Sequence, residues 1–445
     1  MKTTNKSYKY KYNIDDIITI RDDLKLYAMY GGSMVSNFMI CYLGRTAKVT
    51  ERSNGLYRLD IDNGIEVWTE DMFADESVCK TIYLDNASTT FPKFFAKDYL
   101  VLGNPNSSHG LGIEANKALD EARERIKKSL GVKTGKVLFC RCATEAVEWL
   151  CRKIHHYSNW GDEIIFYSPY EHDSVVQASE VATDAKEKKI NEQPQDVDDN
   201  LREGDIYLHQ YVNQLTGTIH GIESIGKQVQ STGAFFGSDF TAAIGHVPIS
   251  KNLDTFCDAM WFSGHKFHAE QGIGAIWLSD RLFEYLGGEK DSRNEYELLH
   301  GTSNVSGAIA MSYAMEYAVE NFDDQYNHYL DLYYELIDKL AQAKIDYADV
   351  GNKDDKALQT VAIFSLTLPG INADALATFL SSKGIYIGVG HSACADNEDY
   401  RVLEAFGLSK QEAEQTVRIS FCEDTTLEHI DAFVEGIKEF KRLFL

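Results

Sequence analysis

From residue 81 onward, short apolar runs alternate with amphipathic stretches, and this alternation is the strongest constraint on the fold. Strand-like runs stand at Lys136–Phe139, Glu163–Tyr167, Asp205–Val212, Ala234–Ser238, Ala259–Phe262 and Ala275–Leu278. Helical spacing marks Gly112–Leu130, with Ala115, Ala118, Leu119, Ala122 and Ile126 on one face, then Ala143–His155 and Ile225–Ser231. Strands alternating with helices predict an α/β fold with a mostly parallel sheet covered on both faces. After about residue 305 a long helix, Ala308–Phe322 continuing through Tyr329–Lys344, leads to a smaller α+β unit. Its strands are Thr360–Leu366 and Val417–Phe421, and Leu427–Phe444 is its closing helix.

The first 80 residues read differently. Ile17–Ile20, Ala47–Thr50, Tyr57–Ile61 and Ile65–Trp68 are short β-branched or alternating runs, with Asn54-Gly55 and Asn63-Gly64 at hairpin spacing. Residues 13–78 therefore predict a small all-β barrel of the SH3-like kind. They resemble the barrels that end in Trp-Thr-x-x-Met-Phe, here Trp68, Thr69, Met72 and Phe73. Residues 1–12 carry lysines and tyrosines and no acid, which predicts a flexible basic tail; the same alternation suits contact with nucleic acid. At 445 residues the chain is too long for one core. The expected domains are the tail, the barrel, a large domain over 81–305 and a C-terminal domain over 306–445, with 81–100 able to pack on the last.

A net charge of −24 argues against nonspecific nucleic-acid binding by the main body. Eight scattered cysteines suit a reducing compartment. Cys140-Arg141-Cys142 has no second ligand pair at metal spacing, so no metal site is expected. The N-terminus shows no apolar signal segment, and no apolar run approaches the ~20 residues that cross a bilayer. The cytoplasm is the expected location.

Chemistry concentrates at the loop ends of the putative strands, where α/β sheets hold their ligands. Ser263-Gly264-His265-Lys266 follows the run Asp258–Phe262, and Gly237-Ser238-Asp239 ends the run before it. A lysine on a short turn can form a Schiff base with an aldehyde cofactor, and a carboxylate can hold a pyridine nitrogen protonated. Lys266 with Asp239 thus points to pyridoxal 5'-phosphate. Ala143 and Thr144 open a helix whose free N–H groups suit a phosphate, as do Ser263, His265 and the turn at Thr302. His172 follows a strand and is placed to stack on a ring; a structural hydrogen bond is the alternative. Asn213 suits either substrate or its own turn. Arg418, in the apolar strand Val417–Ser420, needs an anion, either a substrate carboxylate or an internal acid. Cys394 lies in the small-residue stretch Gly388–Ala395, with His391 able to lower or relay the thiol proton.

In order along the chain these segments resemble the class V aminotransferase family, and within it the cysteine desulfurases and selenocysteine lyases. The segments are Tyr83–Thr90, Gly103–His109, Ala143–Ala146, Glu171–Val175, Asn213 with Thr216–Thr218, Asp239, Ser263–Lys266, Gly301–Val305, Ser392–Cys394 and Arg418–Ser420. The resemblance implies a PLP-dependent transferase of fold type I, working as a homodimer in which Gly301-Thr302 reaches the partner subunit's phosphate. It implies that L-cysteine is the substrate, anchored by Arg418 and Asn213 with His391 nearby. Lys266 and His172 would handle protons. Cys394 would receive sulfur as a persulfide for an acceptor protein, leaving L-alanine. Two departures stand out: Arg141-Cys142 replaces the usual Ser-Gly before the phosphate turn, and Ala242 replaces a glutamine three residues after the pyridinium acid. Other readings are a selenocysteine lyase or another class V reaction, and a catalytically impaired scaffold whose N-terminal barrel does the binding.

Overall fold

A computed structural model describes residues 17–21, 24–25, 28–30, 33–36, 39–43, 45–53, 56–73, 81–157, 165–182, 189–190, 201–289, 291–351, 358–391 and 400–445. The chain divides into two compact units, Met1–Lys80 and Thr81–Leu445. The tail over 1–12, the Asn54-Gly55 turn and Cys394 lie outside the described residues.

In the first unit Ile17–Thr19, Thr46–Ser53 and Leu56–Leu59 form an antiparallel sheet, with Met29–Tyr30 and Ser33–Met34 paired as a separate ribbon. The strand expected at Ile65–Trp68 reduces to a single bridge between Tyr57 and Trp68, and another bridge joins Ile20 to Phe73. The reason lies in the turn before it. Asn63 and Gly64 both adopt left-handed conformations, φ 56° and 69°, and bend the backbone so that only Trp68 returns to the ladder. Ile18, Val49, Tyr57, Leu59, Trp68 and Met72 make the core, and the Trp68 indole donates to buried Asp62 at 2.7 Å.

The second unit carries a seven-stranded sheet. Its order is Lys136–Cys140, Gly274–Leu278, Ala259–Ser263, Phe235–Asp239, Ile206–Leu208, Ile165–Tyr167 and Lys189–Ile190. Only Gly274–Leu278 runs against the rest. The sheet is mostly parallel, as the alternation predicts. Its strands are buried on both faces, Phe166, Tyr207, Phe236 and Phe262 to one side and Tyr167, Leu208 and Trp261 to the other. That two-sided burial explains continuous apolar runs rather than period-two alternation. Helix Gly110–Leu130 packs by the expected face, accepts a cap from His109 and ends at left-handed Gly131, φ 67°.

A five-stranded sheet follows, in the order Ala348–Val350, Ile363–Thr367, Thr416–Ser420, Ile385–Val389 and Ile82–Leu84. The last pair is parallel and the others antiparallel. The single long helix expected over 308–344 is two, Val305–Glu320 and Phe322–Gln342. They separate at Asn321, which leaves helical geometry at φ −101°, ψ 11° and caps the first helix by donating both its backbone amide, at 3.1 Å, and its side-chain amide, at 2.8 Å, to the Tyr317 carbonyl.

Candidate active site

Parallel strands deliver their C-terminal ends to one edge of the sheet, and the site is built there. Asp239 ends its strand, and its neighbour Ala259–Ser263 runs into a tight turn, Gly264–Lys266, that presents the lysine. Gly274 sits opposite Ser263. A Cβ on it would lie 2.8 Å from the Cys142 Cα, so only glycine lets the start of helix Ala143–Tyr157 cross the strand this closely. The Ser263 hydroxyl accepts from the Ala143 amide at 2.7 Å, tying lysine turn and helix N-terminus together. Thr144 occupies the first turn of that helix. Arg141 does not crowd it: its side chain is 81% exposed and pairs with Glu145 at 2.9 Å.

Lys266 enters a cavity of about 320 Å³ whose lining includes Asp85, Ser88, His172, Gln214, His391 and Arg418. The lysine ammonium donates to the carbonyls of Ala87 and Ser88, the latter at 2.8 Å. Burial pushes the His172 imidazole below its ordinary pKa; the Asp239 carboxylate opposes this and Lys266 reinforces it. His172 Nδ1 accepts the Ser174 amide at 3.1 Å and meets the Ser174 hydroxyl at 2.9 Å. His265 pairs with the Thr89 hydroxyl at 3.0 Å, and burial lowers its pKa to about 4, so it is neutral at physiological pH.

Arg418 is almost fully buried. Nη2 donates to Asp85 at 2.6 Å and Ser88 at 2.7 Å, and Nη1 donates to the Gln214 carbonyl at 3.2 Å. Its Nε is buried with no hydrogen-bond partner. Gly388 permits this placement: a Cβ there would stand 2.8 Å from Nε and 2.7 Å from the Asp85 carboxylate. His391 bonds to Asp374 at 3.0 Å and faces the same cavity.

Asn213 and Thr302 do not line the Lys266 cavity. Asn213 is fully buried and its amide oxygen accepts the amides of Leu215 and Thr216, each at 2.9 Å. It shapes its own turn, and Gln214 and Leu215 reach the cavity instead. Thr302 lines a second cavity of about 250 Å³ with Arg141, Glu145, Glu295 and His300, apart from Lys266. Sequence reading gave no role to Asp85, Ser88 or Gly388. Asp85 and Ser88 fall within the quoted Tyr83–Thr90 segment, but the pairing of Arg418 with Asp85 joins residues 333 apart. Among the described cysteines, burial pushes the Cys140, Cys257 and Cys422 thiols up, and Cys151 up to about 12. Such thiols are poor nucleophiles at neutral pH.

The residues present fit a pyridoxal phosphate. An amine and an acid share one sheet edge beside a neutral imidazole, and a helix N-terminus faces the same turn. Two buried polar groups, Arg418 Nε and the Thr241 hydroxyl beside Asp239, have hydrogen-bonding capacity unmet. Fold and site together therefore define a PLP enzyme of fold type I. The family model for aminotransferase class-V matches residues 82–433, and the chain belongs to that family. Among curated relatives, a cysteine desulfurase IscS of Methanosarcina thermophila is 27% identical over 81% of this chain and 92% of its own. A cysteine desulfurase of Nostoc sp. is 29% identical over 80% and 92%. Among solved structures, a NifS-like protein superposes with a TM-score of 0.70 at 26% identity, covering 82% of this chain and all of its own. No helix among the described residues is long and apolar enough to cross a membrane. No cluster of three or more metal-ligating side chains occurs among them.

Proposed function

We propose that this chain is a PLP-dependent cysteine desulfurase that converts L-cysteine to L-alanine and passes sulfur to Cys394 as a persulfide. The observation that carries this reading is the single cavity uniting Lys266, His172 and Arg418, in a chain aligned over four fifths of its length with enzymes named cysteine desulfurase.

Ala143, Thr144, Ser263 and His265 would hold the cofactor's phosphate end, and Asp239 and His172 its ring. When bound, pyridoxal phosphate supplies an electron sink conjugated to the substrate α-carbon. Arg418 binds the substrate carboxylate: its positive charge and idle Nε suit an anion that shares the guanidinium with Asp85. The Lys266 amine takes the proton from Cα and returns it, with neutral His172 as the nearby acceptor. His391 assists the thiol of Cys394. That thiol takes the substrate sulfur as the Cβ–Sγ bond breaks, giving Cys–S–SH, and Cβ gains the proton that makes alanine. Neither an oxidant nor a reductant is consumed.

The resemblance, the unaccompanied Thr302 turn and the exposed side chains of Leu100, Leu102, Leu111 and Ile113 support a homodimer. The reaction calls for a sulfur-acceptor protein, and a cytoplasmic setting suits a thiol that must stay reduced. The first unit is proposed as an SH3-like binding module. The test is to incubate purified protein with L-cysteine, PLP and excess dithiothreitol, which reduces the persulfide and releases its outer sulfur as sulfide, and to assay sulfide and alanine. Equal yields of both from wild type, with loss of at least about a hundredfold in Cys394→Ala, support the reading. No alanine from wild type, or an unchanged yield from the variant, removes it.

A further inference from the structure

The loop that carries His172 is fastened from two sides, by its own sheet and by the C-terminal part of the unit. Three successive carbonyls, of Pro169, Tyr170 and Glu171, each accept from a side chain. Tyr170 is held by Gln210 and Asn213, which belong to the neighbouring strand end. Pro169 and Glu171 are held by one residue, Arg401, which opens the short helix Arg401–Ala405 in the C-terminal part of the unit. Its Nη1 donates to Pro169 at 2.8 Å, and its Nη2 donates to Glu171 at 2.7 Å and to the Asp173 carboxylate at 3.0 Å. The Tyr170 ring packs on Phe406, just past the same helix, with centroids 4.5 Å apart. These contacts bracket His172 on both sides without touching its ring.

We propose that Arg401 is a positioning residue for His172: it fixes the imidazole over the cofactor site by clamping the backbone on either side of it. This rests on the reading of His172 as the residue that stacks on the cofactor ring. The chemistry needs arginine. Two carbonyls and a carboxylate lie around one planar group, which a guanidinium fork serves at fixed angles and a lysine ammonium, a single point donor, does not. Inside the loop, the Glu171 carboxyl accepts the Gln210 amide at 2.7 Å, and burial pushes it well above the carboxylate range. The inner side of the loop is thus held by a buried acid and the outer side by a cation. The Arg401 cation opposes protonation of that imidazole, in the same direction as Lys266, while its partner Asp173 favours it.

The test is a double-mutant cycle read by cofactor binding, with no amino-acid substrate present. Arg401→Gln should weaken PLP affinity about tenfold and shift the absorption maximum of the bound cofactor, with the circular dichroism spectrum unchanged. Arg401→Lys should recover only part of the loss. In a His172→Ala background the same Arg401→Gln change should cost nothing more, because its effect passes through the ring already removed. Hydrogen exchange on the apoproteins reads the clamp directly: Arg401→Gln should speed exchange in the peptide spanning 168–176 and spare the strand Phe235–Asp239. Wild-type affinity in Arg401→Gln, a full additional loss in the His172→Ala background, or exchange unchanged in 168–176 would each overturn the proposal. None of these readouts depends on desulfuration, so a failure here is separable from a failure of the proposed reaction.

Discussion

The Lys266 and Thr302 cavities contain similar residue types and use them in opposite ways. In the Thr302 cavity the charges are matched locally. Glu295 takes Arg123 at 2.8 Å, the Phe139 amide at 3.0 Å and the Ser303 hydroxyl at 2.7 Å, and Glu145 takes Arg141. In the Lys266 cavity the match is incomplete. Arg418 Nη2 divides between Asp85 and Ser88, and its buried Nε has no partner. Buried polar groups are normally satisfied, so capacity left over in a cavity marks where a ligand completes the set. The comparison teaches that the kind of residue does not identify a site; the state of its hydrogen bonds does.

The largest effect that would break this contrast is Lys266→Ala. It should remove the absorption band of bound cofactor near 410–430 nm, roughly where such lysine-bound cofactors absorb, and lower turnover by at least about 10³. A retained band would show that the amine is structural. Next, Glu295→Gln should cost roughly 3 kcal/mol of stability, because Arg123, only 3% exposed at its side chain, loses its principal buried counter-charge. Asp120 at 2.7 Å softens the loss. A denaturant midpoint measured on the apoprotein reads it, and an unchanged midpoint would erase the distinction between a matched and an unmatched cavity. The smallest is Gly388→Ala. Its Cβ would press on Arg418 and Asp85, and KM for L-cysteine should rise about tenfold with little change in kcat. A fall in kcat at constant KM would mean that Arg418 serves the chemistry rather than the anchoring.

Much of the architecture was legible because it is local. The buried parallel strands read as continuous apolar runs, helix Leu427–Phe444 falls where its amphipathic pattern places it, and helix Gly110–Leu130 buries the face its spacing predicts. Boundaries were missed where a single side chain decides them, as Asn321 does between two helices read as one. Short strands such as Ile82–Leu84 and Ile385–Val389 escaped notice because a pairing that spans three hundred residues leaves no local period. Lys266, Asp239 and His172 stood out because each ends or follows a strand, and the structure places them there. Asn213 by sequence suits either substrate or its own turn, and its amide oxygen accepts the next amides of that turn, a pairing that sequence alone leaves open.

The sequence alone determined the alternation of buried strands and helices in the large sheet, the lysine and acid that follow adjacent strands, and the family those segments define, because each depends on residues close together along the chain. Tertiary structure alone decided that Arg418 faces Asp85 with one nitrogen idle, that Gly388 makes room for it, and that Arg401 donates to the Pro169 and Glu171 carbonyls of the His172 loop. Those contacts form between segments brought together only after chain entropy has been overcome by burial of the two cores, and no spacing rule records which distant partners will then meet.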